Sequence, residues 1–208
     1  MKENNCRHLF LGIESGNQST LDYYRKRTQV QDNTRALQLA DSFGITTEAG
    51  IIIGSPPDDL DSVMSTFRYI AGQPLDYLGI SILQVNPGSD EWKRAYNAGK
   101  LESVIDSKGN YRPEWYNADR LEPINLPSVC NNLTKRELNC LVDIGYGVFY
   151  LRRSQHERLQ KRIDGNTLDR FYKTMFSNLK NTVDNLSEHS RLYPIALHTY
   201  KSAMKQNT

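Results

Sequence analysis

Three apolar segments, each closed by a turn and followed by an amphipathic run, constrain this chain more than any other feature. They are RHLFLGI (7–13), TTEAGIIIG (46–54) and YLGISILQV (77–85). Their length and branched side chains suit β-strands, and helical periodicity separates them. Strands alternating with helices build βαβ units, which requires a parallel sheet with right-handed crossovers. The first segment is almost unbroken in its apolar character, so it is expected to be covered by helices on both faces.

The connecting helices carry their own start and stop signals. A short helix start fits Ser19-Thr20-Leu21-Asp22. Thr28 and Gln31 have the spacing of a capping box, Ala36, Leu37, Ala40 and Phe43 repeat at helical spacing, and Gly44 stands where a left-handed cap belongs. Asp58 and Asp59 are expected to cap the next helix, whose stripe is Leu60, Val63, Met64, Phe67, Ile70 and Ala71, with Gly72 stopping it. Asn86-Pro87-Gly88-Ser89 turns the chain into a helix bearing Trp92, Ala95 and Tyr96 that ends at Gly99.

Residues 100–132 differ. They hold Pro113, Pro123 and Pro127, the aromatics Tyr111, Trp115 and Tyr116, and little periodicity. Thr134 and Glu137 then form a second capping box before the stripe Leu138, Leu141, Val142, Gly145, Val148 and Phe149. This helix is expected to continue through a basic stretch, Arg152 to Arg162, and to end at Gly165. Residues 166–205 read as one or two helices interrupted near Pro194. The division is therefore 1–100 for the βα units, 101–132 for a connection and 133–208 for a helical region.

Composition excludes several classes. A charged share of 24% with a formal charge of +2 argues neither for nor against a nucleic-acid partner. No apolar run approaches the roughly 18 residues of a membrane span, and residues 1–15 lack a secretory layout. Cys6, Cys130 and Cys140 form no C-x-x-C pair, so neither a disulfide framework nor a zinc site is expected, and a reducing cytoplasm is the default. Cys140 falls in an apolar pattern and is expected in the core. His8 and His156 have no partner at metal-ligand spacing.

In parallel α/β folds ligands bind at the carboxyl ends of the strands. Gly12-Ile13-Glu14-Ser15, Gly54-Ser55-Pro56-Pro57 and Asn86-Pro87-Gly88-Ser89 are expected to converge there. Three parallel strands close no barrel, and an apolar first strand left as an open edge would be an aggregation hazard. The expectation is thus the C-terminal half of a partial TIM-type (β/α) barrel followed by helices, with Met1 an internal methionine or the start of a truncated gene product.

The segment CRHLFLGIESGNQSTLDYYRKRTQVQDNTRALQLADSFGITTEAGIIIGSPPDD resembles the radical S-adenosylmethionine superfamily over the second half of its barrel. The likeness continues through YLGISILQVNPGSDEWKRAYNAGKL. The segment LTKRELNCLVDIGYGVFYLRRSQHERLQKRI looks like the helical segment of the cobalamin-binding branch, which includes anaerobic magnesium-protoporphyrin cyclase-like enzymes. The resemblance implies S-adenosylmethionine as cofactor. It places Glu14 and Ser15 near the methionine and ribose portion and Lys26 against the cofactor carboxylate. Gly50, Ile52 and Gly54 would approach the adenine through main chain, with Asn86 and Pro87 bracketing it. Glycines admit such close approach because they lack a β-carbon. Pro57 replaces the family's usual glycine and Asp58 its usual glutamate.

The family's [4Fe–4S] cluster needs three thiolates at C-x3-C-x2-C spacing, and this chain has none. The resemblance implies that they, and the cobalamin domain, belong to a missing N-terminal half-barrel upstream. In such a parent enzyme the cluster cleaves the cofactor to a 5′-deoxyadenosyl radical, and the branch transfers methyl groups or rearranges rings. A small-molecule or lipid-like substrate would suit Tyr111, Trp115 and Tyr116, although packing of a long connection explains these residues better. Arg152, Arg153, Arg158, Lys161 and Arg162 can hold a phosphate or acidic partner, but cations near a helix C-terminus also complement its dipole. The alternative is a non-catalytic half-barrel remnant or interaction module. A weaker one is an ordinary α/β barrel enzyme using Glu14 and Asp58 as acid and base.

Overall fold

The computed structural model describes residues 5–112, the backbone of 116–117 and 122–123, and residues 128–206. Pro113, Trp115, Pro127 and the side chains of Tyr116 and Pro123 lie outside the described residues. The elements run β1 (His8–Glu14), α1 (Gln18–Tyr23), α2 (Val30–Ser42), β2 (Thr46–Ile53), α3 (Leu60–Ala71), β3 (Tyr77–Ile82) and α4 (Asp90–Asn97). A short antiparallel pair, β4 (Tyr116–Asn117) and β5 (Glu122–Pro123), precedes α5 (Lys135–Tyr150), α6 (Arg153–Leu159), α7 (Gly165–Asn185) and α8 (Tyr193–Gln206).

The fold is α/β, with a three-stranded parallel sheet in the order β1-β2-β3. Three strands make an open sheet and not a barrel. The alternation along β2 shows how it is covered. Thr47, Ala49, Ile51 and Ile53 are buried, and the alternate residues Thr46, Glu48, Gly50 and Ile52 are half-buried. The buried face joins one core with Val63, Phe67 and Ile70 of α3 and Leu138, Leu141 and Ile144 of α5. On the other face Phe10 is 64% exposed. Coverage of both faces, expected from the first strand, is therefore not what β1 shows.

The two edges differ. At the outer edge of β3 the Leu78 amide donates to the Tyr150 hydroxyl (2.8 Å), which donates back to the Leu78 carbonyl (3.1 Å). One turn earlier on α5, the Tyr146 hydroxyl accepts from the Ile80 amide (3.1 Å). Two tyrosines four residues apart thus occupy the edge that another strand would use. β1 is the opposite edge, and among the described residues no side-chain hydroxyl covers it in this way.

Caps and turns set by neighbouring residues form where the sequence predicts them. Gly44 (φ +65) and Gly99 (φ +70) take the left-handed conformation after α2 and α4. Thr134 and Glu137 satisfy each other's amides at the start of α5. Three expectations shift. α2 begins at N-cap Gln29, whose amide donates to Asp32 (2.9 Å), and not at the Thr28–Gln31 pair. Asp59 alone caps α3; Asp58 turns inward. Gly72 does stop α3, as its C-cap, with a right-handed backbone (φ −86). The basic stretch is a separate helix, α6, and Gly165 opens α7 instead of ending a helix, because Asp164 caps it through the Thr167 amide. Cys140 is half-buried against the core.

The basic helix is tied to the sheet by one carboxylate. Asp76, 0% exposed, precedes β3 and accepts from the Thr47 amide (2.9 Å), Arg158 Nε (2.8 Å) and Arg162 Nε (3.2 Å). Residues 101–112 are organised too. Leu101, Val104 and Ile105 pack with Val85, Ala95 and Val129 in a small second core. Among the described residues no helix is long and apolar enough to cross a membrane.

Candidate functional site

The carboxyl ends of the strands meet around α1. β1 ends in a bulge between Gly12 and Glu14, and Glu14 takes a left-handed backbone conformation (φ +62) uncommon for a residue with a β-carbon. This bend carries the Glu14 carboxylate back over Gly12. A β-carbon at Gly12 would lie 2.7 Å from Glu14 Oε1 and 3.3 Å from Lys26 Nζ, so a larger residue here would push the tips of both side chains aside. Lys26 Nζ donates to Glu14 Oε1 at 2.8 Å, and both side chains keep partial solvent access.

Lys26 reaches that point because α1 ends in a Schellman motif. The Lys26 amide bonds the Leu21 carbonyl (3.1 Å) and the Arg25 amide the Asp22 carbonyl (3.0 Å), with Arg25 left-handed at φ +54. Arg25 occupies a position that glycine usually takes. Three non-glycine left-handed residues, Glu14, Arg25 and Arg27, therefore bracket one ion pair. Such strained backbone gathers at functional sites.

The other strand ends are held by α1. Thr20 donates to Asp58 Oδ1 (3.0 Å), while Asp58 Oδ2 accepts the Gly54 and Ser55 amides (2.9 and 3.0 Å). The Asp58 carbonyl in turn accepts from Asn132 (3.0 Å) and the Cys130 thiol (3.2 Å). Gly54 needs its residue type twice over: φ is +88, and a β-carbon would sit 2.9 Å from Leu138 Cδ1. Tyr23 donates to Glu91 of α4 (2.7 Å), and Arg94 pairs with the same carboxylate (2.7 Å). Burial, then the Glu91 carboxylate, push the Tyr23 phenol up to about 12.

The positions singled out from sequence fall as follows. Glu14 and Lys26 touch. Ser15 is buried, and its hydroxyl is committed to Thr66 (2.9 Å) and the Asn17 amide (3.0 Å), so it positions the turn. Gly50 lies beneath the Phe10 ring, 2.9 Å from where its β-carbon would be. Ile52 is on the same partly exposed face, in register with Ser81. Asn86 and Pro87 are exposed in a type II turn, with the Asn86 carbonyl accepting from Ser89 (3.1 Å) and Gly88 at φ +87. They are linked to α1 through the start of α4, where Glu91 accepts from Tyr23 and Asp90 pairs with Arg25 (3.8 Å).

Two features escaped the sequence reading. Gly12, Gly50 and Gly79 stand in register across all three strands on the uncovered face. The signal was present, because each strand contains Gly-Ile, at 12–13, 50–51 and 79–80. The other is a pair of buried hydroxyls, Tyr24 and Ser55, that face each other. Burial, followed by the charges of Asp58 and Glu14, raises the Tyr24 pKa well above its ordinary value. Among the described residues no three His, Cys, Asp or Glu side chains group as metal ligands.

Comparison with known proteins adds two relatives. No protein-family model matches the chain. It is 25% identical over 152 residues to a Pyrococcus horikoshii protein named as an uncharacterized methyltransferase, covering 73% of this chain and 30% of that protein. It is 36% identical over 61 residues to the anaerobic magnesium-protoporphyrin IX monomethyl ester cyclase of Rubrivivax gelatinosus, covering 29% of this chain and 11% of that enzyme. The chain thus spans under a third of the length of each.

Proposed function

We propose that this chain is the S-adenosylmethionine-binding part of a radical S-adenosylmethionine enzyme of the cobalamin-binding branch. The parent reaction is methyl transfer or rearrangement. The observation that carries the reading is the strained Glu14–Lys26 pair, held over Gly12 where three strand ends are gathered on α1. The names of the two relatives, a methyltransferase and a cyclase, support the same chemistry.

The residues present fit the adenosyl cofactor. The glycines at 12, 50 and 79 form a row without β-carbons on one face, beneath the Glu14–Lys26 pair and the Phe10 ring. Bound S-adenosylmethionine supplies an adenosyl group and a methyl-bearing sulfonium. Glu14 accepts from its ammonium or ribose hydroxyls, and Lys26 faces its carboxylate, each exchanging part of their mutual pair for a charge-assisted bond to the ligand. Gly50, Ile52 and Gly54 offer main chain to the adenine, with Asn86 and Pro87 at its far side. Ser15 holds the turn.

The [4Fe–4S] cluster and cobalamin do not fit this chain: the three cysteines form no ligand set. Both are assigned to the remainder of a cytoplasmic parent protein. Residues 1–100 are then the second half of its barrel, 101–132 the connection and 133–208 the helical region. The edges support this arrangement, since Tyr146 and Tyr150 close the β3 side and leave β1 for further strands.

Calorimetric titration with S-adenosylmethionine tests the reading. Micromolar, saturable binding is expected, weakened roughly tenfold in Glu14→Gln by loss of a charge-assisted bond. A folded chain with no saturable binding would sink it. That result would favour the non-catalytic interaction module, a reading supported by the open β1 edge and the exposed Phe10.

A further inference from the structure

The opposite end of the sheet carries a second site. Between the end of α2, the turn at Gln73–Pro74 that leads into β3, and α6 lies a cavity of about 490 Å³, walled by Arg152, Arg158, Lys161 and Arg162 with Asp41 and Glu157. The size suits a small molecule. Its lining does not suit an apolar one, because four cations face two carboxylates there.

The pairing within this group leaves positive charge over. Asp76, fully buried behind the cavity, fixes both Arg158 and Arg162, and Arg158 also reaches Asp41 (2.7 Å). Glu157 is already paired with Arg153 (3.0 Å), outside the wall. Arg152 donates to the carbonyls of Phe149 and of Ala71 at the end of α3 and lies over the Phe149 ring, and among the described residues no carboxylate pairs with it. Among the described residues the Lys161 ammonium has no hydrogen-bond or ion-pair partner. Arg158 and Arg162 bind Asp76 through only part of their donor set, and a guanidinium has five N–H groups. The remaining donors are held in place by a carboxylate that cannot move.

We infer that this cavity binds the phosphate group of a small phosphorylated molecule. Preorganised guanidinium forks beside a free ammonium are the chemistry that recognises a dianionic phosphate. A phosphate monoester carries about two negative charges near neutral pH, which matches the surplus. Complementing a helix dipole accounts for Arg152, whose guanidinium reaches the Ala71 carbonyl at the end of α3. It does not account for Lys161, or for the two arginines fixed on Asp76. The site lies at the far end of the strands from Glu14, so it stands or falls separately from adenosylmethionine binding.

Calorimetry of the full chain with inorganic pyrophosphate provides the test, with circular dichroism confirming that each variant is folded. Saturable binding that weakens with added salt is expected. Lys161→Glu, on an exposed side chain, is expected to lower affinity roughly tenfold or more, and Glu157→Gln to raise it several-fold. Absence of saturable heat at millimolar pyrophosphate overturns the inference. So does equal affinity in both variants. Cosedimentation with vesicles containing phosphatidic acid, without binding of free pyrophosphate, would replace the cavity with a flat lipid-facing surface and overturn it as well.

Discussion

Replacing Asp76 with asparagine keeps the shape of the side chain and removes its charge. The wild-type carboxylate accepts from the Thr47 amide, twice from Arg158 and once from Arg162, at 2.8–3.3 Å, with no solvent access of its own. Asparagine offers one acceptor oxygen and turns an amide donor toward guanidinium donors. Breaking a buried ion pair by removing one partner costs about 3–5 kcal/mol. Here Arg158 keeps Asp41 and Arg162 is 30% exposed, so part of the stranded charge is rescued, and the expected loss is about 2–3 kcal/mol. With a urea dependence of roughly 2 kcal/mol per molar, the midpoint falls by about 1–1.5 M.

The same variant makes a pH argument with a definite sign. Burial alone would raise the Asp76 pKa; the Arg158 hydrogen bonds, the Thr47 amide and the Arg162 charge outweigh it and hold the group below its ordinary value. A carboxylate depressed on folding contributes its stability in full above the unfolded pKa of about 3.9 and loses it as pH falls through the lower folded value. The gap between wild type and Asp76→Asn should be constant near neutral pH and close below about pH 4. A gap under about 0.5 kcal/mol near neutral pH would refute the ion-pair account. One that persisted unchanged at the acid end would trace the effect to packing instead.

Other substitutions separate the remaining claims. Tyr150→Phe strands both the amide and the carbonyl of buried Leu78 and should cost about 1–3 kcal/mol in chemical denaturation; a neutral outcome would mean that water covers this edge. Gly54→Ala meets a positive φ and the Leu138 methyl together and should destabilise by about 2 kcal/mol while lowering adenosylmethionine affinity, read by denaturation and calorimetry on one preparation. Glu14→Gly should leave stability unchanged or up to about 1 kcal/mol higher, because the left-handed backbone is relieved, while cofactor affinity falls. A loss of stability there would show that the half-buried Lys26 pair outweighs the strain.

Much of this chain is written in short range. The strand–helix alternation, the left-handed Gly44 and Gly99, the Asp59 cap and the Thr134–Glu137 box each depend on residues within about four positions of one another. A hydrogen bond across so short a span is decided before the chain folds back on itself, so residue type suffices to read it. The strand ends were legible for the same reason. Parallel strands joined by helices must point one way, so Glu14 and Gly54 had to share an end with the turn at Asn86.

What the tertiary structure decided lies at longer separations. Arg158 and Asp76 are 82 residues apart; local sequence gives the basic run as cations complementing a helix C-terminus, whereas two of its members are fixed on a buried carboxylate. Ser15 and Thr66 are 51 apart, and their contact turns a candidate ligand-binding hydroxyl into a turn support. The glycine row exists only once the register is set, since each glycine alone is an ordinary strand residue. The break between α5 and α6 belongs here as well: the helical pattern ran on through Arg152, but Gln155 and Arg158 had to reach Asp76. Burial and charge pairing depend on which surfaces meet. That choice minimises unpaired polar groups over the whole molecule, and no local window of sequence contains it.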